Sequence, residues 1–413
     1  FKKRYRAAVG IDSKLYRTGH RVKEELKQRL FAGNMFTALG LNYLGPIDGH
    51  NIKELEGAIR LAKEIRSPVL LHVITLKGKG CQYAEAHPDI YHGIGPFNPK
   101  TGEVVPGEPG YCDVMGKTLC ALAEKDERIT AITAAMADGT GLFPFSQQFP
   151  KRFFDVGIAE GHAVSMAAGM AKQGMIPVFA VYSSFLQRAY DMILHDVSLQ
   201  KLHVVFCVDR AGIVGNDGET HNGVFDLAYL SSAPGMTVLA PASFRELECM
   251  LKTALYEIAG PVAVRYPRGT EGEYKEENTD AEAVLRQGDD ITIVTYGLLT
   301  NQCLAAVRLL ERKGIQAELI KLGCLCPLQT DKVIASVRKT GRLLVAEDVC
   351  SEGSIGEKLL AQAQRCGITL QKSTLLNLGD GILSHGSVPE LLSLKGLDSE
   401  SIAGTALKMA EGV

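Results

Sequence analysis

From residue 111 onward the chain repeats one pattern: a short run of consecutive apolar residues, then a longer segment of helical composition. The middle stretch carries MIPVFAVYSS (175–184), HVVFCVD (203–209), TVLAPAS (237–243) and PVAVRYP (261–267). Helical segments such as FLQRAYDMILHDVSLQ (185–200) and residues 245–256 lie between them. A strand that is apolar at every position has both faces covered, which is the signature of a parallel sheet under helices. The last stretch repeats the alternation with ITIVTYG (291–297), a helix over 300–313, AELIKLG (317–323), RLLVAED (342–348) and a final helical stretch. An acidic segment, EGEYKEENTDAEAV (271–284), separates the two. Ahead of both come a helix over 52–66, a break at Pro68, the strand VLLHVITL (69–76) and a Gly/Pro-rich linker at 93–110. The expectation is an α/β protein of mostly parallel, doubly wound sheets in three units, 1–105, 111–270 and 285–413, the first incomplete. An incomplete first sheet should expose apolar surface that calls for a partner. No internal repeat or low-complexity tract interrupts this pattern.

Composition removes several classes of function. The 413 residues carry a net charge of −2, with no basic stripe for nucleic acid and no polybasic patch for a membrane surface. No apolar run approaches the ~20 residues needed to span a bilayer. The start, FKKRYRAAVG, is basic but lacks the apolar core of a signal peptide, and it lacks an initiating Met, as a chain beginning partway through a larger protein would. Ten cysteines are scattered without a CxxC pair, so buried reduced thiols in a cytoplasmic protein are expected, and no zinc site or disulfide framework.

Open parallel sheets bind ligands beyond the carboxyl ends of their strands, and there the ionisable residues gather. YSSFLQRAYD (182–191) brings Tyr182, Arg188 and Asp191, the last two spaced to pair on one helix. DRAGIVGNDGETHNG (209–223) brings Arg210, Asp217 and His221 among four glycines, a composition typical of functional loops. RYPRG (265–269) adds Arg265 and Arg268, suited to a bidentate grip on phosphate. Together they suggest a phosphorylated small-molecule substrate. TLKGKGCQYAEAHP (75–88) is either a phosphate cradle or an exposed basic turn. GDG at 379–381 reads as a turn, since no Asn follows it.

DVGIAEGHAV (155–164) poses a sharper question. Phe153, Phe154 and Val156 read as a short buried strand, and a helix follows from Ala159 to near Gly174. Glu160, with His162 close by, therefore sits at a helix start. It either faces the macrodipole in solvent or is buried among small apolar neighbours and needs a specific partner.

Taken with GPIDGHN (45–51), LKGKG (76–80) and AAMADGTG (134–141), these segments resemble the 1-deoxy-D-xylulose-5-phosphate synthase family, thiamine-diphosphate enzymes of the transketolase superfamily. The resemblance implies a transketolase-like fold and the joining of pyruvate, after loss of CO2, to glyceraldehyde 3-phosphate, a step that feeds isoprenoid, thiamine and pyridoxal precursors. It implies that Glu160 hydrogen-bonds N1′ of the cofactor's aminopyrimidine, with Phe185 against that ring. Tyr182, Arg188, Asp217 and His221 would line the reaction pocket, His221 moving protons or binding pyruvate. Arg210 and Arg268 would hold the acceptor phosphate, and Lys77 and Cys81 would lie at the cofactor.

Departures from the family pattern accompany this. Gly161 stands where the family has Gln, and Cys81 where it has an aromatic residue, with Tyr83 two further on. The family's GDG…N motif, which holds Mg2+ and the diphosphate, and its upstream histidines belong ahead of this chain. The resemblance then implies Mg2+ without metal ligands here, a homodimer or a complementing N-terminal chain, and an isolated chain of nil or very low activity. Two other readings stay open: a transketolase C-terminal subunit or 2-oxoacid dehydrogenase β-chain, and a non-catalytic assembly or regulatory subunit.

Overall fold

A computed structural model describes residues 34–88, 90–92, 94–104 and 107–411; the basic start at 1–10 and parts of the 93–110 passage lie outside them. The chain divides into two compact units, one ending at Gly107 and one beginning at Glu108.

In the first unit, β1 (Asn42–Asp48) and β2 (Val69–Ile74) pair in parallel and are joined by α1 (Ile52–Glu64). Asn51 caps α1, its side chain accepting from the Glu54 amide at 3.2 Å. The helix stops short of Pro68, which disfavours helical backbone before it. Among the described residues of this unit no side chain is fully buried, and Ile52 and Ile74 stay exposed.

The strands of the second unit are, in order, β3 (Ile129–Thr133), β4 (Phe153–Asp155), β5 (Ile176–Tyr182), β6 (Val205–Asp209), β7 (Thr237–Leu239), β8 (Val262–Arg265), β9 (Glu282–Arg286), β10 (Ile291–Tyr296), β11 (Ala317–Leu322), β12 (Cys324–Cys326), β13 (Arg342–Ala346) and β14 (Lys372–Leu376). They form two sheets, in the orders β12-β7-β8-β6-β5-β3-β4 and β14-β13-β10-β11-β9. Every neighbouring pair is parallel except β12 with β7 and β9 with β11. Strands β3, β6, β8, β10 and β11 are buried along their whole length, including the few polar and charged residues among their apolar positions. Strand β12, from the late part of the chain, closes the edge of the earlier sheet beside β7. The acidic separator is not a free linker: Tyr274 is buried and its hydroxyl donates to Glu246 at 2.8 Å.

Two local expectations need correction. Strand β4 is only half buried, because it lies at the sheet edge with a neighbour on one side. The segment after β5 is not one helix. It runs through Ser183–Leu186, a 3₁₀ turn at Gln187–Ala189, a short turn at Tyr190–Met192 and a π-helix at Ile193–Ser198. Such irregular turns re-aim side chains and concentrate at functional sites. The helix expected after residue 159 is α2 (Glu160–Lys172), ended by Gly174 at φ +86. Among the described residues no helix is long and apolar enough to cross a membrane.

Candidate active site

Glu160 opens α2 and is 4% exposed. The partner that a buried carboxylate requires is Arg188, whose Nη1 donates to Glu160 Oε1 at 2.5 Å. The sequence spacing suggested an Arg188–Asp191 pair instead. The 3₁₀ turn over Gln187–Ala189 breaks the helical register, so Arg188 turns to α2 while Asp191 meets His195 at 2.9 Å. The Arg188 guanidinium also lies 4.8 Å from the Phe185 ring centroid.

Contacts continue from there without a gap. Phe185 meets the His221 ring edge-on at 5.2 Å and Tyr182 at 5.6 Å. Tyr182 carries the Arg210 guanidinium on its face at 3.7 Å. Arg210 Nε donates to Asp217 Oδ2 at 3.2 Å, and Arg268 Nη1 reaches Asp217 Oδ1 at 2.9 Å. The eight candidates Glu160, Tyr182, Phe185, Arg188, Arg210, Asp217, His221 and Arg268 thus form one connected row over the ends of β5, β6 and β8. The loop that carries three of them is tied at its neck, where Gly212 and Gly223 exchange backbone hydrogen bonds of 2.8 Å in both directions. Neither position tolerates a side chain: a Cβ on Gly212 would lie 1.8 Å from Asp348 Oδ2, and one on Gly223 would lie 2.2 Å from the Arg210 carbonyl oxygen. Asn222 pins the loop interior by accepting from the Val214 amide at 3.1 Å.

Burial sets the electrostatics. The Tyr182 hydroxyl is pushed up to about 12, chiefly by burial, with Arg210 opposing, so it stays a neutral donor. Asp209, at the end of β6, is pushed up to about 7 by burial, again against the pull of Arg210. Sequence reasoning missed Asp209, although it sits beside Arg210 in the same motif; a carboxylate ending an otherwise apolar strand was the available signal. Arg265 is no phosphate ligand: it is buried in β8 and grips Asp226 through Nε at 2.9 Å and Nη2 at 3.2 Å.

Lys77 and Cys81 belong to the first unit and are described there alone. Lys77 is exposed, and Cys81 begins a short helix, Gln82–Ala86. The turn between them is held by the Glu85 carboxylate, which accepts from the Gly80 amide at 2.8 Å. Gly161 lies against Met192, where a Cβ would approach Cε to 3.0 Å, a contact that a flexible methionine can relieve.

The residues present fit an aminopyrimidine ring. A buried carboxylate beside a half-buried aromatic face offers an acceptor and a stacking surface, and Arg188 is the one donor that meets Glu160 among the described residues. No group of three or more His, Cys, Asp or Glu side chains converges as a metal site among the described residues.

Comparison with known proteins follows the same lines. The transketolase pyrimidine-binding domain model matches residues 108–272, and the transketolase C-terminal domain model matches 281–402. A split-gene transketolase, solved as an inactive beta4 tetramer, aligns with a TM-score of 0.64 at 28% identity over 73% of this chain and 98% of that one. Transketolase from Leishmania mexicana aligns with a TM-score of 0.62 at 17% identity over 75% and 47%, a likeness of fold. The class is a transketolase-type α/β protein. A 1-deoxy-D-xylulose-5-phosphate synthase model also matches residues 1–75. The synthase of Desulforudis audaxviator is 47% identical over 395 residues, covering 94% of this chain and 62% of the relative. That of Heliobacterium modesticaldum is 43% identical over 414 residues, covering 98% and 64%. Within its class the chain belongs to the 1-deoxy-D-xylulose-5-phosphate synthase family, and it spans less than two thirds of the length of these relatives.

Proposed function

We propose that the chain carries the pyrimidine-binding and acceptor-binding machinery of a 1-deoxy-D-xylulose-5-phosphate synthase, joining pyruvate with loss of CO2 to glyceraldehyde 3-phosphate. The observation that carries this reading is the unbroken row from the Glu160–Arg188 pair to the two arginines on Asp217. The chemistry that thiamine diphosphate supplies when bound is an electron sink for the decarboxylation.

The side chains have distinct tasks in this reading. Glu160 accepts a hydrogen bond from the pyrimidine N1′, and its low-dielectric setting strengthens that one contact. Arg188 orients Glu160 through its Nη1 contact. Phe185 offers its ring face to the pyrimidine. His221, with Thr220 Oγ1 at 3.0 Å from its Nδ1, would bind pyruvate or move protons. Arg210 and Arg268 grip the acceptor phosphate once Asp217 yields its place between them, since one carboxylate now occupies both. Lys77 and Cys81 are assigned to the cofactor, and magnesium to the neutralisation of the diphosphate charge. A homodimer in the cytoplasm and the division 1–105, 111–270 and 285–413 belong to the same reading.

A second reading has support of its own: the catalytic unit is completed by a separate polypeptide. The split-gene transketolase chain is matched over 98% of its length. One set of measurements tests both. Thiamine diphosphate and Mg2+ are titrated calorimetrically into the chain alone, then with the N-terminal third of a relative added, and pyruvate turnover with glyceraldehyde 3-phosphate is assayed in each case. Micromolar binding by the chain alone overturns the need for a complement. Absence of product with a bound complement overturns the synthase assignment.

A further inference from the structure

We propose that Asp209 is a positioning residue that aims one edge of the Arg210 guanidinium at a phosphate, an assignment that rests on the phosphate-binding reading of Arg210 above. Arg210 has φ +58, a left-handed backbone that is unfavourable for a non-glycine residue. Such a conformation persists only where its surroundings over-determine it. Asp209 supplies that restraint at both ends of its neighbour. Its Oδ1 accepts from the Arg210 amide at 2.6 Å, and its Oδ2 accepts from Arg210 Nη1 at 3.0 Å. Nη1 also donates to the Gly139 carbonyl at 3.0 Å, and the guanidinium plane rests on Tyr182.

The consequence is geometric. An arginine has two edges for a bidentate grip, and the contacts to Asp209 and Gly139 consume the Nη1 corner. The Nε–Nη2 edge is what remains. Nε is on Asp217, the residue shared with Arg268, and Nη2 meets no acceptor among the described residues. This edge is therefore presented toward the side from which Arg268 comes, as two guanidinium groups closing on one phosphate require. Asp209 itself is 1% exposed and cannot touch a substrate. Burying a carboxylate here works against folding, and burial holds its pKa at about 7. Nothing in the packing of β6 demands a charge at that position. The one return visible in the structure is the fixed arginine.

The test uses the whole chain and inorganic phosphate as the probe. Phosphate is titrated calorimetrically at pH 8 into the wild type, Asp209→Asn, Arg210→Gln and the double variant, and the thermal midpoint of each is measured alongside. Asn retains the acceptor for the Arg210 amide but turns an NH2 group toward Nη1. Asp209→Asn is expected to weaken phosphate binding about tenfold without lowering the thermal midpoint, and to add nothing on the Arg210→Gln background. A role confined to folding predicts the reverse, a lowered midpoint with phosphate affinity intact, and that result overturns the proposal. Affinity within about twofold of wild type overturns it as well. No phosphate binding by the wild type removes the phosphate reading of Arg210, and this proposal with it. Should Asp209→Asn fail to fold, Asp209→Glu takes its place. The longer side chain keeps the charge but cannot meet both ends of Arg210, so the same loss is expected, and wild-type affinity in that variant is equally fatal.

Discussion

Lys321→Met should be among the most destabilising single changes in the second unit. Lys321 lies in β11 with its ammonium 2.7 Å from Glu246 Oε1 and 2.8 Å from the Asn278 carbonyl oxygen, and both charged side chains are 0% exposed. Glu246 is also held by the Tyr274 hydroxyl and the Ala242 amide, each at 2.8 Å. The pair thus joins the helix Phe244–Tyr256, the separator segment and the second sheet. At 2.7 Å the Coulomb attraction is about 6 kcal/mol for an effective dielectric of about 20, and desolvation of the two ions offsets much of it. Removing the lysine alone takes away the attraction and leaves the desolvated carboxylate, a loss of about 3–5 kcal/mol. Replacing both partners by Met leaves no stranded charge, so the double variant should lose less than the single one. Urea unfolding followed by circular dichroism measures all four corners of the cycle, and the coupling term isolates the pair. If Lys321→Met unfolds within about 1 kcal/mol of wild type, or the double variant is the weaker, this account of the buried pair is wrong.

Three further outcomes are expected. Glu160→Gln should cost a complemented enzyme about 10²-fold or more in turnover yet leave stability within about 1 kcal/mol, because the Arg188 side chain is 51% exposed and can turn to water; comparable losses in both measurements would make Glu160 merely structural. Asp217→Asn should tighten inorganic phosphate binding roughly three- to tenfold by releasing Arg210 and Arg268, read by calorimetry, and weaker binding would mean that Asp217 does not compete for that seat. Finally, the Asp209 carboxyl titrates at about 7 when folded against an ordinary value of 3.8. Between those values the native state keeps a proton that the unfolded chain has released, so its contribution is complete below about pH 4 and is lost as pH rises to about 7. A gap of about three pH units corresponds to a ceiling of about 4 kcal/mol; urea midpoints at pH 5 and 8 should differ less in Asp209→Asn than in wild type.

Much of the site was legible in the order of residues alone. Tyr182, Arg210 and Arg268 follow apolar runs, and a run of that kind ending in Gly and ionisable residues marks the carboxyl edge of a parallel sheet. The connections among these residues were not legible. Arg188 finds Glu160 across 28 positions and forsakes Asp191 three away, because a 3₁₀ turn intervenes. Arg265 and Arg268 share one motif, yet one is sealed against Asp226 and the other reaches the loop. Burial separates them, and burial depends on which surfaces meet.

What the sequence determined by itself is therefore the local alternation: which runs become strands, which become helices, and that Gly174 ends α2. Those outcomes depend on residues a few positions apart, whose periodicity and backbone preferences are written in order along the chain. Tertiary structure alone decided that β12 closes an earlier sheet, that Lys321 and Glu246 pair across 75 positions, and that Asp209 holds Arg210 in a left-handed turn. The first is a backbone pairing between segments far apart in the chain; the other two depend on charge removed from water by packing, whose depth is fixed only when distant segments close over one another.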